Sequence, residues 1–438
     1  MSADIPSLLP YLSRVQRAET LPISGPVVRT VGLLIESQGP RAHVGELCDL
    51  VSSAGGRTIP AEVVGFRDGM LLTVPLDMTA GVRAGDRIVS RGAAASAPVG
   101  ASLLGRVIDG MGRPLDDLGP LRATSHQPLY PPPQNPLDRE SIVTPLGTGV
   151  RAIDALLTAG RGQRIGVFGG SGVGKSTLLG MMARGTAADV IVIGLVGERG
   201  REVRAFLEQD LGVEGRRRSV VVVSTSDSPP LVRMRAAYVS TAIAEAFRDE
   251  GRHVLLLMDS VTRFAMSQRE VGLAAGEPPT AKGYPPSVFA LLPKLLERPG
   301  NLRGRGSITA FYTVLVEGDD QTEPIADAVR SILDGHIVLS REMGARNHYP
   351  AIDIINSVSR TMPDVTEVEQ RLKAGQVREW LSAIRDHEDL ISVGAYVPGS
   401  VPRVDEAFAR REAIDQFLRQ SADALTTFPE AVDALRAL

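Results

Sequence analysis

The chain holds a single cysteine, Cys48, in 438 residues. A lone thiol excludes an intramolecular disulfide framework and any Cys-rich metal site. The six histidines show no metal-ligand spacing, and no H-E-x-x-H occurs. Aromatic residues are scarce, at 4 % with one tryptophan. No uninterrupted apolar stretch approaches the ~18 residues that a membrane-spanning helix needs. A net charge of −3 gives no global attraction to nucleic acid or to an anionic membrane. The run Arg216-Arg217-Arg218 is too short to change that and reads as a solvated loop. The first residues lack a charged start followed by an apolar core, so no signal peptide is expected. These absences predict a cytoplasmic protein, at most peripheral to a membrane. The remaining composition, 43 % hydrophobic and 23 % charged, is that of a globular chain long enough for two or three domains.

What the chain does have is a glycine-rich stretch, Gly169-Gly170-Ser171-Gly172-Val173-Gly174-Lys175-Ser176. An apolar run at 165–168 precedes it, and a segment patterned as a helix begins with Thr177 after it. G-x-x-x-x-G-K-S in a strand–loop–helix setting is a phosphate-binding loop. Its glycines let successive N–H groups turn onto phosphate oxygens, and the helix adds the positive end of its dipole. Lys175 is expected at the β- and γ-phosphates and Ser176 at Mg²⁺. The expected ligand is a nucleoside triphosphate. ATP is preferred over GTP because no guanine-specifying Asn/Thr-Lys-x-Asp occurs.

Around this stretch the chain divides into four parts. Residues 1–23 are patterned for a short helix with Pro10 in its first turn and Leu12, Val15 and Ala18 along one side. With Leu8, Leu9 and Tyr11 it reads either as a frayed terminus or as a docking helix. Residues 24–93 read as short strands at 27–35, 47–51, 61–66, 70–74 and 86–91, separated by glycine turns, which predicts a small β-barrel or sandwich. Their one aromatic, Phe66, argues against a single-strand-binding barrel. Residues 94–364 form the nucleotide domain. An Ala/Ser-rich linker (92–100) leads into them, and a proline-rich run (128–136) must be extended and wrap the domain surface. From 165 to about 340, strands at 165–168, 190–196, 220–224, 254–258, 308–315 and 335–339 alternate with helices at 175–185, 201–210, 231–249 and 286–296. That alternation predicts a parallel sheet with covering helices. Residues 365–438 read as helical, chiefly 371–386 and 404–424, with a break at 394–402.

Two further stretches carry chemistry. Val254-Leu255-Leu256-Leu257-Met258-Asp259 is a buried strand ending in a carboxylate, about eighty residues after the phosphate loop, where Asp259 would hold Mg²⁺ through its water shell. Glu198, in Gly197-Glu198-Arg199-Gly200-Arg201-Glu202, leaves the preceding strand at the same edge and can orient an attacking water and take its proton. Arg199 beside it either neutralises charge on the γ-phosphate or belongs to a surface ion-pair cluster with Arg201 and Glu202.

With residues 105–116, 149–154, 272–279, 283–296, 314–323, 331–339 and 348–360 added, the chain resembles the flagellar type III export ATPases. These lie within the family that holds the catalytic subunits of rotary ATP synthases and the injectisome ATPases. The resemblance runs from about residue 24 to 420. It implies a RecA-like α/β core with a small N-terminal β-barrel and a C-terminal helical domain. It implies that Lys175 and Ser176 bind phosphate and Mg²⁺, that Asp259 supports the metal and that Glu198 is the catalytic carboxylate. Arg199 then stands at the phosphate and Arg263 on the γ-phosphate side. Arg360 is the arginine supplied to the neighbouring subunit, and Tyr349 the aromatic stacked on adenine; without the resemblance Tyr349 also reads as packed core. The implied partners are a homo-hexameric ring, a stalk-like regulator at the N-terminal segment, a membrane export gate, and export chaperones and substrates, with no nucleic acid. The implied location is the cytoplasmic face of the inner membrane. Residues 327–330, 359–363 and 394–396 look more flagellar than injectisome-like.

Overall fold

The structure, a computed structural model, describes residues 23–53, 57–316 and 323–438. The N-terminal segment read as a frayed terminus or a docking helix lies, up to residue 22, outside the described residues. The chain forms two compact units, Met1–Ala95 and Ser96–Leu438.

In the first unit, β1 (Ser24–Val31), β2 (Leu34–Ser37), β3 (Glu46–Val51), β4 (Thr58–Arg67), β5 (Met70–Pro75) and β6 (Arg87–Ala94) close into a barrel of order β1-β2-β5-β4-β3-β6. Inward residues alternate with outward ones, so Val27, Ile35, Cys48, Leu50, Ile59, Val63, Leu71 and Ile88 fill the interior. Closure leaves no unpaired edge for a foreign strand. Cys48 is therefore a packing residue, and burial pushes its thiol up to about 12, where it is inert. The stretch expected as one strand over 27–35 is a hairpin. It turns at Gly32, whose φ of 58° a residue with a β-carbon adopts only at a cost.

The second unit starts with β7 (Ser96–Val99), paired with β9 (Ser125–Pro128), so the expected linker is strand instead. Between them runs β8 (Val107–Asp109). A short pair, β10 (Pro145–Leu146) and β11 (Ala159–Gly160), precedes the main sheet. The sheet adds β12 (Arg164–Gly169), β13 (Val190–Glu198), β14 (Ser219–Thr225), β15 (His253–Asp259), β16 (Gly300–Asn301), β17 (Ser307–Leu315), β18 (Gly335–Leu339) and β19 (Ile352–Ser359). Its order is β19-β18-β12-β17-β15-β13-β14-β8, with β16 beside β17. The strands from β18 to β8 are parallel, while β19 runs antiparallel on the edge. Helices cover both faces, which is why β13 and β15 are continuous apolar runs rather than alternating ones.

The proline-rich run is extended to Asn135, where a single tight turn (Pro136–Asp138) begins. It lies on the helix Pro230–Asp249, with the ring of Tyr130 edge-on to Tyr238 at 4.9 Å. Arg298 donates to the Leu129 carbonyl (2.8 Å) and makes a two-point pair with Glu245 (2.9 and 2.5 Å), both side chains at most 10 % exposed. Removing one member of a buried pair strands the other charge. Glu245→Ala should therefore lower the unfolding free energy by about 3–5 kcal/mol, read as a fall in the urea midpoint.

The C-terminal helices Val368–Asp386, Pro402–Leu418 and Phe428–Arg436 pack Val377, Trp380, Ile414 and Leu435 into the same core as Leu178 and Met182 of the phosphate-loop helix. The helix expected to reach 424 ends at Leu418.

Candidate active site

The carboxyl edge of the parallel sheet gathers the functional groups. In open α/β sheets this edge is where loops diverge and ligands bind. Taken across the sheet, β18 leads to Arg341, β12 to the phosphate loop, β15 ends at Asp259 and β13 at Glu198, with strand axes about 4.8 Å apart.

The phosphate loop leaves β12 at Gly169 and feeds the helix Lys175–Gly185, the bounds expected from the sequence. Gly172 and Gly174 take left-handed φ of 79° and 91°, which curls the loop. Val173 is buried and anchors it, while Ser171, Gly172, Ser176 and Thr177 face solvent. Lys175 Nζ donates to the Gly169 carbonyl at 2.8 Å and to the Gly170 carbonyl. Burial lowers the pKa of Lys175, Asp259 and Glu198 oppose that shift, and Arg341 adds to it. Arg341 is a residue the sequence reading missed. Its Nη2 stands 2.5 Å from where a β-carbon on Gly170 would be, so a larger residue there would push the guanidinium tip aside. The Thr177 hydroxyl is bonded to Asp210, in a wide helical turn (Phe206–Leu211) inside the stretch expected as one regular helix.

Asp259 is 6 % exposed and accepts a 2.5 Å hydrogen bond from the Thr313 hydroxyl of β17. Burial raises its pKa, against the Thr313 bond and the Lys175 charge. Glu198 follows a bulge in β13 at Gly197, whose φ is 73°. A β-carbon there would meet Arg263 Cβ at 3.0 Å, so glycine both turns Glu198 off the strand and admits the Arg263 stem. Burial, then the Asp259 charge and a hydrogen bond to Glu202, push the Glu198 carboxyl up to about 8, with Arg263 opposing.

Lys175, Asp259, Glu198 and Arg263 thus share one electrostatic site. Arg199 does not join it: its side chain is 70 % exposed and pairs with Glu202 at 3.4 Å. Tyr349 lies over the loop, with ring carbons 3.6 Å from the β-carbon position of Gly174. Arg360 is exposed at the opposite edge. Its N–H donates to the Asp334 carbonyl (3.0 Å), just before β18, whereas the phosphate-loop edge lies beyond the other end of that five-residue strand, about 16 Å away. Among the described residues no group of three His, Cys, Asp or Glu side chains could hold a metal by itself. The available oxygens, Ser176 Oγ and the Asp259 carboxylate, suit Mg²⁺, which keeps its waters and takes substrate phosphates as ligands.

Strand order and site together place the chain in the class of RecA-like P-loop nucleotide hydrolases. Comparison with known proteins narrows the class. Residues 149–359 match the nucleotide-binding domain of the ATP synthase alpha/beta family and residues 27–92 its beta-barrel domain, while 366–437 match the C-terminal domain of the type III secretion ATPase EscN. The flagellum-specific ATP synthase of Pseudomonas aeruginosa is 52 % identical over 95 % of this chain and 93 % of its own length. The type 3 secretion system ATPase of Sinorhizobium fredii is 49 % identical over 98 % and 94 %. The assembled ATPase EscN of enteropathogenic E. coli superposes with a TM-score of 0.89 at 45 % identity, over 94 % of this chain and 99 % of that one. The chain belongs to the ATP synthase alpha/beta family, beside its flagellum-specific and type 3 secretion ATPases.

Proposed function

We propose that this chain hydrolyses ATP to energise protein export through a flagellar type III apparatus, as a six-membered ring with active sites between subunits. The observation that carries the reading is the convergence of Lys175, Asp259 and Glu198 on one sheet edge while Arg360 stands at the other. Lys175 and the N–H groups of Gly170 to Thr177 bind the phosphates. Ser176 and Asp259 would hold Mg²⁺, which supplies charge neutralisation on the phosphates when bound. Glu198 orients water and takes its proton, and Arg263 steadies the γ-phosphate side. Tyr349 stacks on adenine. Arg360 completes the site of the next subunit.

Glu198 ionises near 8 before substrate arrives, and only its carboxylate can accept the proton. kcat/KM for ATP should therefore fall about tenfold per pH unit below about 8 and level off above it. A flat profile from about pH 6 to 8 contradicts the assignment.

Hydrolysis measured across a protein-concentration series tests the ring: specific activity should climb with concentration, and a constant value would refute shared sites. A stalk-like regulator, a membrane export gate, and export chaperones and substrates are the proposed partners, at the cytoplasmic face of the inner membrane, with no role for nucleic acid. Export through an injectisome is the second reading, favoured by the match of residues 366–437 to the EscN C-terminal domain. Restored swimming in a strain lacking its flagellar export ATPase supports the first, and restored secretion in an injectisome-ATPase deletion alone supports the second.

A further inference from the structure

Tyr349 is 42 % exposed, so packing alone does not hold its ring over the phosphate loop. Its backbone is held instead, from the end of the helix Pro402–Leu418. Three consecutive residues of the loop are engaged. The Asn347 carbonyl accepts from Arg419 Nη1 (3.1 Å), His348 Nδ1 meets Asp415 Oδ1 (2.9 Å), and the Tyr349 carbonyl accepts from the Gln420 N–H (3.0 Å). Arg419 Nε donates to Asp415 Oδ2 (2.7 Å), which closes the group into a ring of bonds. A carboxylate only accepts, so His348 must present Nδ1–H to it. The Gln420 amide, 7 % exposed, reaches the other way. It donates to the Gly149 carbonyl and accepts from the Arg151 N–H, both at 2.8 Å. Gly149 in turn abuts Gly185, the last residue of the phosphate-loop helix.

The geometry points to Asp415, Arg419 and Gln420 as positioning residues that fix the Tyr349 ring against the phosphate loop and so set affinity for the base of the nucleotide. Asp415 and Arg419 are each 44 % exposed, so their bonds act on the loop and not on the core. Asp415 and Arg419 bond to no phosphate-loop residue, so their removal should act at the base end. The inference rests on the adenine-stacking role proposed for Tyr349, and the test separates the two.

Calorimetric titration with ADP and with pyrophosphate, which has no base, compares the full-length wild type, Tyr349→Ala, Arg419→Ala and the double variant Asp415→Asn/Arg419→Ala. Loss of stacking should weaken ADP about tenfold in the tyrosine and clasp variants alike, with pyrophosphate affinity unchanged in all. Weakened ADP binding in Tyr349→Ala but not in either clasp variant overturns the positioning role and leaves the stacking role standing. Unchanged ADP binding in Tyr349→Ala overturns both. Clasp variants that lose ADP and pyrophosphate together also overturn it, because the damage then reaches the whole site.

Discussion

Arg360→Ala should lower steady-state ATP hydrolysis by about 10³–10⁵-fold, the range expected when an arginine that stabilises transition-state charge is removed. The size of the effect follows from how the guanidinium is presented. Arg360 leaves the end of β19, where Ser359 Oγ donates to the Thr158 carbonyl (2.8 Å) and the Arg360 N–H to Asp334 (3.0 Å). Arg378 holds the same strand from behind, through the Ile354 carbonyl at 2.7 Å. The charge therefore stands on a rigid base while its side chain is exposed, which suits a group offered to another molecule. Preorganised charge of this kind needs little reorganisation at the moment of reaction. ADP affinity, measured by titration, should change far less than turnover. Activity within a few-fold of wild type would remove Arg360 from the mechanism.

Glu198→Gln should lower turnover by about 10²–10⁴-fold, the usual contribution of a positioned general base, while ATP still binds. The amide keeps the shape of the carboxyl but cannot accept the water's proton. The same substitution should stabilise the nucleotide-free protein at neutral and alkaline pH. The Glu198 pKa is raised from 4.5 to about 8 in the fold, so its contribution to stability is fully present below 4.5 and lost as pH rises through about 8. Glutamine carries no such loss. The thermal midpoint of the variant should therefore exceed that of wild type by a margin that widens from about pH 5 to 8, and an inactive variant that is also less stable would indicate a structural defect instead.

The sequence made the centre of the molecule legible because there the local rules agree. The phosphate-loop helix, Lys175–Gly185, was readable to the residue from its glycine and lysine pattern. Asp259 and Glu198 were readable because buried parallel strands are continuous apolar runs, and the polar residue ending each run marks the functional edge. Legibility failed where tertiary contacts decide. β19 is half exposed and irregular in pattern, and only its pairing with β18 makes it a strand. Arg341 looks like any basic residue at a helix start until β18 is laid beside β12. Arg199 fits a phosphate role by its neighbours in the chain, yet the turn after Gly197 sends it to solvent and to Glu202. The stretch 92–100 is composed like a linker, but β9 recruits its second half from thirty residues away.

The most direct test of shared active sites mixes two inactive variants, Glu198→Gln and Arg360→Ala, and measures ATP hydrolysis of the mixture against each alone. In a mixed ring, an Arg360→Ala chain keeps its own Glu198 and can receive Arg360 from a Glu198→Gln neighbour, so some interfaces are whole. Activity that reappears on mixing, and grows with total protein concentration, is the predicted result. A mixture no more active than its components would contradict a site built from two chains.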